Sequence, residues 1–123
     1  MHIAHGSFWE DDDGNHPAPF SVITYSDVMN QKWKPRAKSE TECVSLTAHC
    51  LKYTKELEAK GKFQLTIWPE HCLVGSKGHA VVKEINDSLQ EWTKQTQRTV
   101  HYIQKAQNRL TEMYSGIEAE VVM

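Results

Sequence analysis

The run Phe63-Gln64-Leu65-Thr66-Ile67-Trp68 has the apolar and β-branched content of a short buried strand, and it stops at Pro69, which has no N–H to give a central ladder. Its end delivers His71 and Cys72 side by side on a loop at the carboxyl end of that strand. In open α/β sheets ligands bind at that edge. The flanking sequence supplies helices. Ser39 and Glu42 have the spacing of a capping box, and Leu46, Cys50, Tyr53 and Leu57 then recur at i, i+4, i+7 and i+11 before Gly61 closes the pattern. Val81, Ile85, Leu89 and Trp92 repeat the stripe in a second helix that begins after Gly78 and ends near Gln95. Phe20 to Tyr25 reads as a first strand entered through Pro17 and Pro19, Thr99 to Gln104 as a third, and Asn108 as the cap of a short helix through Tyr114. Met1 to Pro19 reads as loop and Ser26 to Ala37 as an exposed connection. The alternation predicts one domain over residues 1–123, loop over 1–19 and alternating strands and helices over 20–123, with a parallel sheet covered by helices.

A chain of 123 residues suits one domain with a modest core. The balance of 14 Lys and Arg against 16 Asp and Glu gives a formal charge of −2, which removes the electrostatic case for a nucleic-acid partner. No apolar stretch approaches the roughly 20 residues that span a bilayer, and the N-terminus lacks the basic and apolar regions of a signal peptide, so no membrane role and a cytoplasmic location are expected. Cys43, Cys50 and Cys72 are odd in number and irregular in spacing, which argues against a disulfide framework and suits a reducing compartment.

Residue types narrow the chemistry further. His71 stands where a loop leaves a strand, and imidazole is the commonest protein ligand for zinc and iron, although an ordinary loop histidine has the same signature. Cys72 reads either as a small hydrophobe or as a reactive thiol. Lys105 ends the run Val100-His101-Tyr102-Ile103-Gln104 and either snorkels to water or points into a cleft. His2 and His5 lie three apart without a helical pattern around them, and His16 is held extended by Pro17 and reads as surface. The acidic run Glu10 to Asp13 lacks the ligand spacing of a calcium loop. Paired-cysteine and His-Glu-x-x-His zinc patterns, a Gly-rich phosphate loop and a Gly-x-Ser-x-Gly elbow are all absent from the sequence.

Four stretches together resemble the nicotinamidase-like branch of the isochorismatase-like cysteine hydrolases over most of the chain. They are His2-Ile3-Ala4-His5 with Phe8-Trp9, Asn15 to Phe20, Trp68-Pro69-Glu70-His71-Cys72 with Gly75-Ser76 and Gly78, and Tyr102 to Lys105 running on to Tyr114-Ser115-Gly116. The resemblance implies a partial three-layer α/β/α, Rossmann-like parallel sheet, and hydrolysis of a small amide such as nicotinamide to nicotinate and ammonia in NAD salvage. It also implies His71 as one ligand of a zinc ion and Lys105 as the catalytic lysine, with Ala106 standing where the family has glycine. In that family a cysteine thiolate attacks the amide carbonyl, an aspartate on the first strand moves the proton, and backbone donors hold the oxyanion. This sequence contains neither that aspartate, nor the Asp-x-His metal pair, nor the turn that carries the nucleophile. Cys43 and Cys50 fall on the amphipathic helix, and Cys72 precedes the lysine where the nucleophile follows it. Two readings result: an inactive piece of such a hydrolase with weak or no zinc binding, or a non-catalytic small α/β binding module. Without the family's first strand, Val22, Ile23, Leu65, Ile67, Val100 and Ile103 are expected to stay partly uncovered, and self-association through exposed sheet edges to follow.

Overall fold

Three helices and four two-residue strands form in the computed structural model, which describes residues 1–122. The helices are α1 (Tyr25–Met29), α2 (Glu40–Lys60) and α3 (Lys83–Thr96); the strands are β1 (Trp9–Glu10), β2 (Val22–Ile23), β3 (Lys34–Pro35) and β4 (Leu65–Thr66). The chain divides into two compact units, Met1–Pro69 with Lys105–Met123, and Glu70–Gln104.

Helix α2 forms where its stripe and its caps agree. The Ser39 hydroxyl accepts the Glu42 N–H at 3.2 Å, and Gly61 takes the left-handed conformation at φ 65° to close the far end. The capping box is only half made, because the Glu42 carboxylate accepts the Lys38 N–H at 2.6 Å. Leu46, Cys50, Tyr53 and Leu57 are all buried, as the stripe requires. The segment read as an exposed connection contains α1 and β3. Thr24 and Asp27 form a complete capping box at the start of α1, a Thr-x-x-Asp signal that the polar composition of the segment hides. Likewise, the N-terminal stretch read as loop holds β1 and a 3₁₀ turn at Gly6–Phe8.

The expected partial three-layer, Rossmann-like parallel sheet does not form. β2 and β4 pair antiparallel, with Val22 opposite Thr66 and Ile23 opposite Leu65, and β1 pairs antiparallel with β3. Among the described residues the one parallel contact is an isolated bridge between His5 and Trp68. Local geometry keeps these strands short: Phe20 sits at φ 69°, and Thr24 already serves as a helix cap, so only two residues between them are extended and paired. After β4, the Ile67 N–H goes to Ser21 O and the Trp68 N–H to Ala4 O, which transfers the backbone from one partner to another before Pro69. Thr99 to Gln104 forms no strand. Ile103 in that stretch is 89% exposed, and β propensity alone does not make a strand without a partner and a face to bury. The helix expected from Asn108 to Tyr114 is also absent, because the polar groups there pair with distant residues.

The core lies in the first unit. The ring of Trp9 is fully buried, donates its Nε1–H to Ile3 O at 2.7 Å and meets Phe8 edge-on at 5.1 Å. Ile23, Leu65 and Ile67 complete it against the α2 stripe, so these three are covered rather than left open. Of the residues expected to be uncovered, Val22 and Ile103 are exposed and Val100 is half-buried. The second unit holds α3 and a 3₁₀ turn at Lys77–His79, and no residue of α3 is buried despite its apolar stripe.

This contrast yields a stability prediction. Leu57→Ala should cost about 2–5 kcal/mol by opening a cavity in the packed core. Ile85→Ala, on the exposed stripe of α3, should change stability by no more than about 0.5 kcal/mol. Urea unfolding of both variants against the parent measures the difference, and equal losses would contradict the placement of the core.

Candidate functional site

A tyrosine in an apolar helical stripe brings a hydroxyl into the core, and a buried hydroxyl must find partners. Tyr53 finds both in one residue: its hydroxyl donates to Glu112 Oε2 at 3.0 Å and accepts the Glu112 backbone N–H at 2.9 Å. The other carboxyl oxygen, Oε1, accepts the Tyr114 hydroxyl at 3.0 Å, and that hydroxyl accepts the Trp68 Nε1–H at 3.1 Å. A continuous row of hydrogen bonds therefore runs from Trp68 through Tyr114 and Glu112 to Tyr53. Burial pushes the Glu112 carboxyl up to about 7; nearby Glu120 adds to the rise, and the two phenol bonds oppose it. Burial likewise raises the Tyr53 phenol and pushes Tyr114 up to about 12. The row thus contains a carboxyl that burial holds above the ordinary carboxylate range.

The outer end opens on a groove. Trp68 and Tyr114 line a solvent-open groove of 1060 Å³ together with Phe63, Lys62, Glu58 and Thr24. The Phe63 and Tyr114 rings lie 4.8 Å apart, and Lys62 Nζ sits 5.1 Å from the centre of the Phe63 ring. Phe20 meets Trp68 edge-on at 5.7 Å, presented by a backbone conformation that a bulky residue rarely adopts. Glu58 is fixed across the groove by accepting the Tyr25 N–H at 2.7 Å. The arrangement offers flat aromatic faces, one ammonium and one carboxylate, enough to stack a planar ligand and to orient its polar edge.

Lys105 belongs to the same unit. It is exposed, and its Nζ donates to the Tyr114 carbonyl at 2.8 Å, so the lysine singled out from the sequence is tied to the residue that walls the groove. Ala106 adopts φ 60°, the left-handed conformation that glycine takes most easily. His71 and Cys72 lie on an exposed stretch of the second unit, with Cys72 at φ 51°. All three cysteines are free. Cys50 is buried and burial pushes its thiol up to about 12, while Cys43 and Cys72 are exposed. His2 Nδ1 accepts the Ala4 N–H at 3.1 Å, His5 Nδ1 pairs with Ser7 Oγ at 2.7 Å, and His16 Nδ1 meets Trp9 O at 2.6 Å. Among the described residues no three His, Cys, Asp or Glu side chains gather as a set that could hold a metal ion, so the donors do not fit a closed zinc site. Glu112 and Tyr114 escape sequence reading because no local pattern marks a carboxyl for burial. The available signal is Tyr53, a hydroxyl-bearing side chain on the core face of a helix. No protein-family model, curated protein or solved structure matches the chain.

Two measurements follow. With a thiol-reactive dye, two thiols per chain should react in the native state, and the Cys50 thiol only after unfolding; three fast thiols would contradict its burial. Ala106→Gly should raise stability by about 0.5–1 kcal/mol in urea, because it relieves a left-handed alanine. A loss of stability would show that alanine is not strained there.

Proposed function

We propose that this chain is part of a cytoplasmic nicotinamidase-like cysteine hydrolase and does not turn over amides by itself. The observation that carries the reading is the Trp68-Pro69-Glu70-His71-Cys72 run together with Lys105, each at the position where it matches the family pattern. It is a reading of motifs alone, and the antiparallel pairing of β2 with β4 does not support it. Covalent amide hydrolysis needs a thiolate beside an acid-base partner. Cys50 cannot serve, since a thiol held near 12 inside the core is neither ionised nor reachable at neutral pH. Lys105 contributes an ammonium beside the groove wall, which can attract an electron-rich ligand but cannot replace a nucleophile. The location rests on three free cysteines, which suit a reducing compartment.

A second reading has one observation in its favour. The groove walled by Phe63, Trp68 and Tyr114 is complete within one unit of this chain, which suits a non-catalytic binding module for a small planar amide. Either protein is expected to self-associate, through the edges of the two-residue strands and through exposed apolar residues such as Ile103 and Ile117. A single sedimenting monomer at all concentrations would contradict that expectation.

Purified protein should release no ammonia from nicotinamide above a buffer blank. Turnover that co-purifies with the chain and disappears in Cys72→Ser would overturn the assignment of inactivity. Zinc should bind weakly, because His71 alone supplies one ligand where a stable site needs three or four. Submicromolar affinity by calorimetry that is lost in His71→Ala would overturn this. Sequencing the coding region on either side separates the two readings: an in-frame Asp-x-His pair upstream and a cysteine downstream are expected for the hydrolase, and their absence leaves the binding module.

A further inference from the structure

Residues 108–121 contain no helix or strand, yet Thr111, Glu112, Glu120 and Val121 are buried. Their order comes from polar bonds to one face of α2. His49 Nε2 meets Leu110 O at 2.7 Å, Tyr53 binds Glu112 in both directions, and Lys60 Nζ donates to the Glu120 carbonyl. Positions 49, 53 and 60 share a helix face at i, i+4 and i+11. The segment also closes on itself. The Glu120 N–H goes to Glu112 O at 2.9 Å, Thr111 Oγ donates to Val121 O at 3.1 Å, and the Tyr114 N–H goes to Glu120 Oε1 at 3.3 Å.

We propose that residues 108–121 form a clasp on α2, held shut while the buried Glu112 carboxyl between the hydroxyls of Tyr53 and Tyr114 is uncharged, and loosened when that carboxyl ionises. Both of its oxygens accept bonds from phenols, which favour the ionised form but carry no charge, and among the described residues no cation pairs with it, so ionisation leaves a charge in the interior that only dipoles offset. The titratable and charged groups facing the segment are Tyr53, His49 and Lys60 from α2, Tyr114 and Glu120 from the segment itself, Lys105 just before it, whose ammonium donates to the Tyr114 carbonyl, and His2 from the N-terminus. Arg109 lies 3.9 Å from Glu42 at the segment's entrance. Glu120 adds a second negative charge, which strengthens the effect. The folded state binds the Glu112 proton more tightly than the released segment does. Docking is therefore strongest below the ordinary carboxyl value of 4.5 and weakens as pH rises through about 7. His2 acts in the opposite sense, because burial lowers its pKa from 6.5 and its contribution is lost on acidification. Tyr114 is both a wall of the groove and the acceptor for Trp68, so opening the clasp removes that wall and widens the groove as pH rises.

Hydrogen exchange of the whole chain read by mass spectrometry at pH 5.5 and 8.5, corrected for intrinsic exchange rates, tests the clasp. Peptides covering 108–121 should lose roughly tenfold or more of their protection at the higher pH, while the α2 peptides stay protected. In Glu112→Gln, which keeps the shape and cannot ionise, the loss of protection at 108–121 at the higher pH should disappear, leaving only the opposite, smaller dependence that His2 contributes. Equal protection in the parent chain, or the same pH dependence in Glu112→Gln, would overturn the proposal. Should that variant fail to fold, Tyr53→Phe keeps the ring in the core and removes one donor to the carboxylate. Its opening midpoint should then move to higher pH, and an unmoved midpoint would overturn the proposal equally.

Discussion

The first unit depends on one side chain that acts in two media. The Tyr53 ring is part of the apolar face that α2 turns to the core, and full burial of such a ring contributes about 1.5–3 kcal/mol. Its hydroxyl, carried inward by that burial, would cost about 1–3 kcal/mol if left without partners. Glu112 offsets the cost by accepting from the hydroxyl with its carboxyl and donating to it with its backbone N–H. Residues 108–121, which have no ladder or helix of their own, gain a fixed path in return. The packing of α2 and the course of this segment are thus two sides of one contact.

Helices α2 and α3 were legible because their signal is local, whereas α1 was hidden in a stretch read as a connection and the helix expected from Asn108 to Tyr114 does not form. The 3.6-residue recurrence from Leu46 to Leu57 and the caps at Ser39 and Gly61 lie within one stretch of sequence and agree with one another. Strand content was partly legible, since Val22, Ile23, Leu65 and Thr66 fall inside the expected runs. Strand direction was not. It depends on which edge the chain meets after α2, and the turn over Lys62 to Gln64 brings β4 back against β2 in the opposite sense. Thr99 to Gln104 illustrates the limit of propensity: the residues favour a strand, but no face is available for Ile103 to bury.

The candidate site divides in the same way. Lys105 was singled out through resemblance, because a short motif carries it, and Ala106, which stands where the family has glycine, adopts φ 60°. Glu112 was not reachable. Its neighbours in sequence, Thr111 and Met113, give no hint that its carboxyl meets a phenol on a helix almost sixty residues earlier. Only the placement of Tyr53 and Tyr114 around it makes a polar row from the core to the groove, and that placement is a product of tertiary structure.

The central claim is that Tyr53 and Glu112 act as one unit, and a double-mutant cycle on stability tests it most directly. Urea unfolding of Tyr53→Phe, Glu112→Gln and the double variant at pH 6 should give a coupling energy of about 1–3 kcal/mol, as expected for directly bonded buried groups. A coupling near zero, with the two single losses simply adding, would contradict the account.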